Sequence, residues 1–419
     1  MTEKSANPPR AAFRHRSFRL YIVSRFIAFI GQQMLLIAIA QSVYEMTHNP
    51  MYLGYIGLSL FIPKFAFILF AGHMADQFDR RSILLASRFI QLLMMFGLIL
   101  YTWSPLHPLW ILYGLLFILG FGSAVGAPAS QAMVTQLVPT EQFSNAVIWN
   151  SSSFQLAFIL GPVLGGWLYT AFGRALPVYW IAAALHLVST LLIFCLPPLV
   201  DHIQKTEISK SFMAGIHYVL HRKIILGVIS MDLFAVLLGG AVALLPIYAN
   251  DILKVGASGL GLLRAAPSLG AGIVAVSLAY LPPFKRAGST MLWCVALFGL
   301  ATIGFGLSKN FIFSILCLVT LGAADMVSVM IRGVLVQVQT PPAMRGRVSA
   351  VNMIFIGASN ELGEFESGLT ASWFGVIPSV VVGGLGTLTV VALWSWLFPE
   401  IRSHGRLDES YEKKVLSLD

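Results

Sequence analysis

Three carboxylates fall within seven residues in Asn360-Glu361-Leu-Gly-Glu364-Phe-Glu366, inside an otherwise apolar run. On a helix, Glu361 and Glu364 share a face and Glu366 turns away from it. An ionised side chain at the centre of a bilayer costs at least about 2.5 kcal/mol, so such groups face a partner or a wet cavity. Crowded, desolvated carboxylates suit a proton carrier. The structural alternative is a fixed ion pair, and Lys64 is the candidate cation. Lys64 lies about 12 residues from one end of its apolar run and Glu361 about 11 from the end of its own, which at 1.5 Å per residue places both roughly 17 Å deep.

Other polar residues interrupt apolar runs at helical spacing. Asp325 and Arg332 are seven apart and share a face, as do Arg25 and Gln32, and Gln33 and Asp232 are further candidates for lining a polar cavity. Arg88 lies one turn inside its run and is expected to snorkel to the surface, while Arg264 is expected to snorkel or pair. No HExxH, GxSxG or metal-spaced cluster of His and Asp is recognised, so no catalytic residue, metal or cofactor is expected. Cys195, Cys294 and Cys317 occupy separate apolar stretches and read as buried thiols.

The elements that carry these residues follow from composition. The chain has 419 residues, 57% hydrophobic and 11% charged, where a soluble protein is about a quarter charged. So few charges cannot cover a water-facing surface, which excludes a soluble enzyme, a disordered scaffold and a secreted disulfide protein. Spans of about 20 apolar residues, the length that crosses hydrocarbon, fall near 19–44, 52–74, 83–104, 109–134, 145–171, 175–197, 224–249, 257–281, 289–307, 311–337, 347–372 and 376–398. Breaks between them carry turn chemistry, such as His48-Asn49-Pro50, Asp79-Arg80-Arg81 and Pro341-Pro342. No alternating pattern suggests a barrel. A shift of 202 residues overlays Gly161 on Gly363, Gly166 on Gly368, Gly173 on Gly375, Pro139 on Pro341 and Asn150 on Asn352.

The expected fold is therefore an all-α membrane protein of about 12 transmembrane helices in two pseudo-symmetric six-helix bundles. Residues 1–18 form an N-terminal segment, 19–197 the first bundle, 198–223 a polar linker, 224–398 the second bundle and 399–419 a tail. Of the 27 Lys and Arg residues, nineteen lie on the side shared by both termini, three (Arg174, Lys254, Lys309) on the other, and five within spans. That bias puts both termini in the cytoplasm and explains the net charge of +9 without nucleic acid. The first span lacks a cleavage site after a short apolar core and reads as an anchor.

The loop after the second span, Gly72-His-Met-Ala-Asp76-Gln-Phe-Asp79-Arg80-Arg81, resembles the corresponding motif of the major facilitator superfamily. Gln77 and Asp79 depart from its usual basic residue and glycine. The resemblance implies that Gly72, Asp76, Arg80 and Arg81 latch the cytoplasmic side when the protein opens outward. In the fifth span, Ala157 with Gly161, Pro162, Gly165 and Gly166 resembles the antiporter-associated motif of that superfamily, in which small residues flatten one helix face so that the helix packs tightly against the other half. Gly126-Ala-Pro128-Ala-Ser-Gln131, Leu137-Val-Pro139-Thr-Glu141, Phe18-Arg19, Gly54, Pro63 and Arg345-Gly-Arg347-Val348 extend the likeness to residues 15–400. They are similar to the branch of enterobactin-exporter-like and macrolide-efflux-like proteins.

That resemblance implies proton-coupled export of a small amphipathic or siderophore-like molecule across the bacterial inner membrane by alternating access. A multidrug or macrolide pump is the alternative, with a solute importer or a non-transporting sensor behind it. It further implies that the first, fourth, seventh and tenth spans line the cavity. The second and eleventh meet between the halves, so that Lys64 would contact Glu361 or Glu364 in one transport state and release it in the other. Residues 109–134 hold no Lys or Arg, so coupling falls to residues outside the fourth span. The expected partners are the lipid bilayer, a small-molecule substrate and protons, and the protein is expected to be a monomer.

Overall fold

The computed structural model describes residues 10–104, 107–197, 208–278, 280–281, 284–341 and 344–403. Most of the 198–223 linker's first half and the tail beyond 403 lie outside the described residues, as do Pro282 and Pro342. Helix runs almost throughout. The first half comprises α1 (Arg16–Thr47), α2 (Pro50–Gln77), α3 (Arg80–Trp103), α4 (Leu109–Leu137), α5 (Phe143–Phe172) and α6 (Leu176–Phe194). Then follow α7 (Ile208–His221), α8 (Lys223–Leu238), the single turn α9 (Leu245–Ile247), α10 (Gly256–Leu278), α11 (Ala287–Leu307), α12 (Phe311–Gln339), α13 (Arg345–Phe374), α14 (Val376–Leu397) and the short α15 (Pro399–Ser403). Among the described residues, ten spans are both long and apolar enough to cross a membrane. The remaining two expected spans are α2 and α13, of 28 and 30 residues, enough at 1.5 Å per residue.

Local chemistry sets the boundaries. Asp79 caps α3, its carboxylate accepting from the backbone N–H groups of Arg81 (3.3 Å) and Ser82 (3.0 Å). Asn310 caps α12 through the N–H of Phe313 at 3.1 Å. Gly173 ends α5 with φ of +64°, where a side chain would be strained.

The seventh span differs from the continuous helix expected over 224–249. It breaks after Leu238 at Gly239-Gly240, resumes as a tight turn over Ala241–Leu244 and α9, and ends in the π-helical turn Tyr248–Ile252. Paired glycines hold a helix poorly, and Pro246 lacks the N–H that a continuous ladder needs. Ser367 of α13 donates to the Gly240 carbonyl freed by the break.

The chain divides into two compact units, residues 1–39 with 62–206 and residues 40–61 with 207–419. The first unit packs α3 on α4 and α6. A core of Phe18, Tyr21, Met133, Ala146 and Ile193 ties α1 to α4, α5 and α6. The second packs α12 against α10 and α11, and α8 against α13 and α14, around Val228, Met231, Met291, Ile331, Leu335 and Val351. Residues 40–61, the α1–α2 turn with its flanking helix ends, group with this second unit. Trp110, Trp293 and Trp396 are 73%, 76% and 76% exposed, a surface that suits lipid and not water.

Candidate functional site

The acidic face of α13 meets α2 at backbone distance. A Cβ added to Gly57 would lie 2.8 Å from both the Glu361 carbonyl oxygen and Glu364 Cβ, and 3.2 Å from Glu364 Oε2. One turn earlier, Gly54 sits where a Cβ would be 3.1 Å from the Phe365 carbonyl oxygen, and Tyr55 stacks on Phe365 at 6.0 Å. Small residues on α2 thus admit the α13 backbone, and Glu364 is turned into the unit instead of outward. From the other side, Arg264 of α10 donates through Nη2 to Glu364 Oε1 at 3.1 Å. Arg264 is therefore a pairing residue. Glu361 and Glu366 are half-buried.

Periodicity placed Asp325 and Arg332 together on α12, yet the partner of Arg332 comes from another helix. Its Nη1 is ion-paired with Asp232 Oδ2 of α8, and the side chains are 2% and 8% exposed. Two buried opposite charges neutralise one another, and loss of either leaves the other stranded. Asp325, half-buried, stands two turns away on α12.

In the first unit, Arg25 of α1 donates to Asn150 Oδ1 of α5 at 2.7 Å and lies 5.3 Å and 5.8 Å from the ring centres of Phe29 and Phe154. Phe29, Phe154 and Phe158 form one aromatic group, with centroids 4.5 Å to 6.2 Å apart. The faces of these rings attract a cation. No described carboxylate accepts from Arg25. Gln33 is buried against α5 and Gln32 is half-buried. Asn150 was visible in the sequence as a match to Asn352, but spacing gave no sign of its bond to Arg25.

Arg88 corrects an expectation. It does not snorkel but is 7% exposed, with Nη1 donating to Gln91 Oε1 at 3.2 Å; the same oxygen lies 3.2 Å from Nε2 of the buried His186 on α6. A polar partner inside the bundle replaces the route to the surface.

The arginines of the 72–81 loop donate to backbone carbonyls of α4 and α6 within the first unit. Arg80 donates to the Ala132 carbonyl at 3.2 Å, and Arg81 donates to the Phe194 carbonyl at 2.7 Å at the end of α6. Among the described residues no atom lies within 4 Å of where a Cβ of Gly72 would sit. The side chain of Asp76 lies outside the described residues. Gly161 and Gly165 do admit a neighbour, and it is α1: added Cβ atoms would lie 2.5 Å from Gln33 Cβ and 2.8 Å from Met34 Cα. Pro162 and Gly166 are buried beside them.

Residues 7–414 match the transmembrane secretion effector family. The chain is 28% identical over 392 residues to the enterobactin exporter EntS of Shigella flexneri, covering 93% of each protein. It is 27% identical over the same length to that of Escherichia coli O1:K1. The fold is that of the nucleoside transporter NupG (TM-score 0.71, 14% identity, 91% of this chain and 99% of the other). It is equally that of a bacterial homologue of the lysosomal transporter Spinster in its inward-facing, occupied conformation (TM-score 0.70, 15% identity, 93% and 99%). The chain belongs to the transmembrane secretion effector family of the major facilitator superfamily and is an inner-membrane transporter, not an enzyme.

Proposed function

We propose that this protein exports a small, acidic, amphipathic molecule of siderophore-like character in exchange for protons, by alternating access with both termini in the cytoplasm. The observation that carries the cargo reading is Arg25. It stands over Phe29 and Phe154 with two neutral partners, the Asn150 amide and the Tyr21 hydroxyl, so its charge is available to an anionic aryl group. Arg332, the other cation considered for the cavity, is neutralised by Asp232. Export as the direction is supported by the relatives named enterobactin exporters.

Proton coupling falls to Glu361, Glu364 and Glu366. Glu364 sits between Gly57 of α2 and Arg264 of α10, where a proton and a guanidinium compete for one carboxylate. Lys64, seven residues along α2 from Gly57 and on the same helical face, is the second cation with which the acids exchange during the cycle. Gln32, Gln33 and Asp325 supply polar lining. Gly72, Asp76, Arg80 and Arg81 act as the cytoplasmic latch, and the Gly161–Gly166 segment as a packing surface.

The test is a comparison of compounds released into the medium by the parent strain, a deletion strain and the deletion strain carrying Arg25→Gln. An aromatic acid absent from the deletion medium, restored by the natural chain and not by Arg25→Gln, is the expected result. Identical media from parent and deletion strains would refute export. Restoration by Arg25→Gln of a neutral or cationic compound would favour a multidrug pump instead.

A further inference from the structure

Helix α7 ends in a pair of histidines at the i, i+4 spacing, His217 and His221, which a search for HExxH passes over because no glutamate follows the first. Their ring centroids are 3.9 Å apart with the planes inclined at 39°, and both side chains are exposed. Core packing therefore does not hold the rings together. His221 Nδ1 lies 2.8 Å from the His217 carbonyl oxygen. A carbonyl only accepts, so Nδ1 carries the hydrogen and the lone pair of His221 is on Nε2. An imidazole anchored through one nitrogen to a backbone carbonyl, with the other free, is the arrangement found at metal-bound histidines.

We propose that His217 and His221 form a two-imidazole site for a divalent transition-metal ion on the last turn of α7. Nitrogen ligands at about 2.0–2.1 Å from a tetrahedral ion lie roughly 3.3 Å from each other, a spacing that i, i+4 side chains on one helix face can span once the rings, now in contact with centroids 3.9 Å apart, swing apart to turn their nitrogens toward one point. The helix C-terminus adds the negative end of its dipole to the site. The neighbouring guanidinium is held elsewhere, since Arg222 lies over the Tyr218 ring at 5.6 Å. Imidazole pairs select copper, nickel and zinc over magnesium, with copper bound most tightly. Water or an oxygen donor of a chelating molecule fills the remaining positions. The opposite face of α7 is docked, with Gly215 against the Arg347 backbone and Tyr218 donating to the Gln339 carbonyl at 3.1 Å, so a bound ion clamps a turn that already bridges α12 and α13.

The full-length protein, purified with a histidine-free tag, is titrated calorimetrically with CuCl2, ZnCl2 and MgCl2, and its copper-loaded form is examined by pulsed electron paramagnetic resonance. The site predicts about one copper or zinc ion bound, no magnesium, and a signal from two imidazole nitrogens. His217→Gln and His221→Gln each weaken binding by at least the ~10-fold that loss of a supporting contact alone brings. Both substitutions fall on an exposed helix face and leave folding intact. Absence of copper or zinc binding to the natural chain overturns the proposal. So does unchanged binding by His217→Gln/His221→Gln, or a copper signal from fewer than two imidazoles.

Discussion

Gln41 and Asn250 exchange two hydrogen bonds: Gln41 Nε2 donates to Asn250 Oδ1 at 3.2 Å, and Asn250 Nδ2 donates to Gln41 Oε1 at 3.0 Å. Gln41 is on the last turns of α1, and Asn250 on the π-helical turn that closes the broken seventh span. Beside them Tyr44 donates to Asp251. This clasp fastens the α1–α2 turn within the second unit. In the proposed export cycle this clasp lies on the outer face and opens as cargo leaves.

Neutral hydrogen bonds contribute about 1 kcal/mol each, so removing this reciprocal pair favours the opened form by about 2 kcal/mol, a roughly 30-fold shift. Gln41→Leu is the substitution. Spin labels at the exposed positions 45 and 254, in a background lacking the native cysteines, report the change as a larger population of long distances. An unaltered distance distribution would show that the pair does not bias the equilibrium.

The Asp232–Arg332 pair is expected to behave as a buried neutral unit. Arg332→Met alone strands Asp232 and lowers stability by about 3–5 kcal/mol, whereas Asp232→Leu/Arg332→Met restores most of it. Thermal unfolding in detergent measures both. Equal loss in the single and double variants would contradict mutual neutralisation.

Spacing along one chain segment sees only its own element, which separates what was legible from what was not. The spans were legible because apolar runs end at turn chemistry such as Asp79 and Asn310. The three acids of α13 stood out against the same background. The partner of Arg332 was not legible, because Asp232 lies 100 residues earlier, and the in-helix candidate Asp325 had the better spacing. Arg88 was judged by depth alone, without Gln91 and His186 to hold it inside. The break at Gly239-Gly240 carried a signal, two glycines followed by Pro246, that total hydropathy overrode.

Tight packing at Gly57 leaves no room for a side chain. Gly57→Val pushes α2 from the α13 backbone and disturbs Glu364. A loss of about 1–3 kcal/mol in stability is expected, together with reduced efflux. Normal unfolding and efflux in that variant would mean that the two helices separate freely at this point.

Arg25→Lys keeps the charge but loses the planar fork that donates to Asn150 while lying near Phe29 and Phe154. Cation–π contacts are worth about 0.5–2 kcal/mol, so efflux at limiting cargo concentration is expected to fall several-fold in Arg25→Lys and further in Arg25→Gln. Equal efflux from all three proteins would remove Arg25 from the cargo site.

Proton release on cargo binding is the sharpest measure of exchange. Purified protein in weakly buffered solution receives the compound recovered from the export comparison, and the pH change is recorded for the natural chain and for Glu361→Gln/Glu364→Gln/Glu366→Gln. Release from the natural chain and none from the triple variant is expected. The same release from both, or none from the natural chain, would contradict proton exchange by these acids.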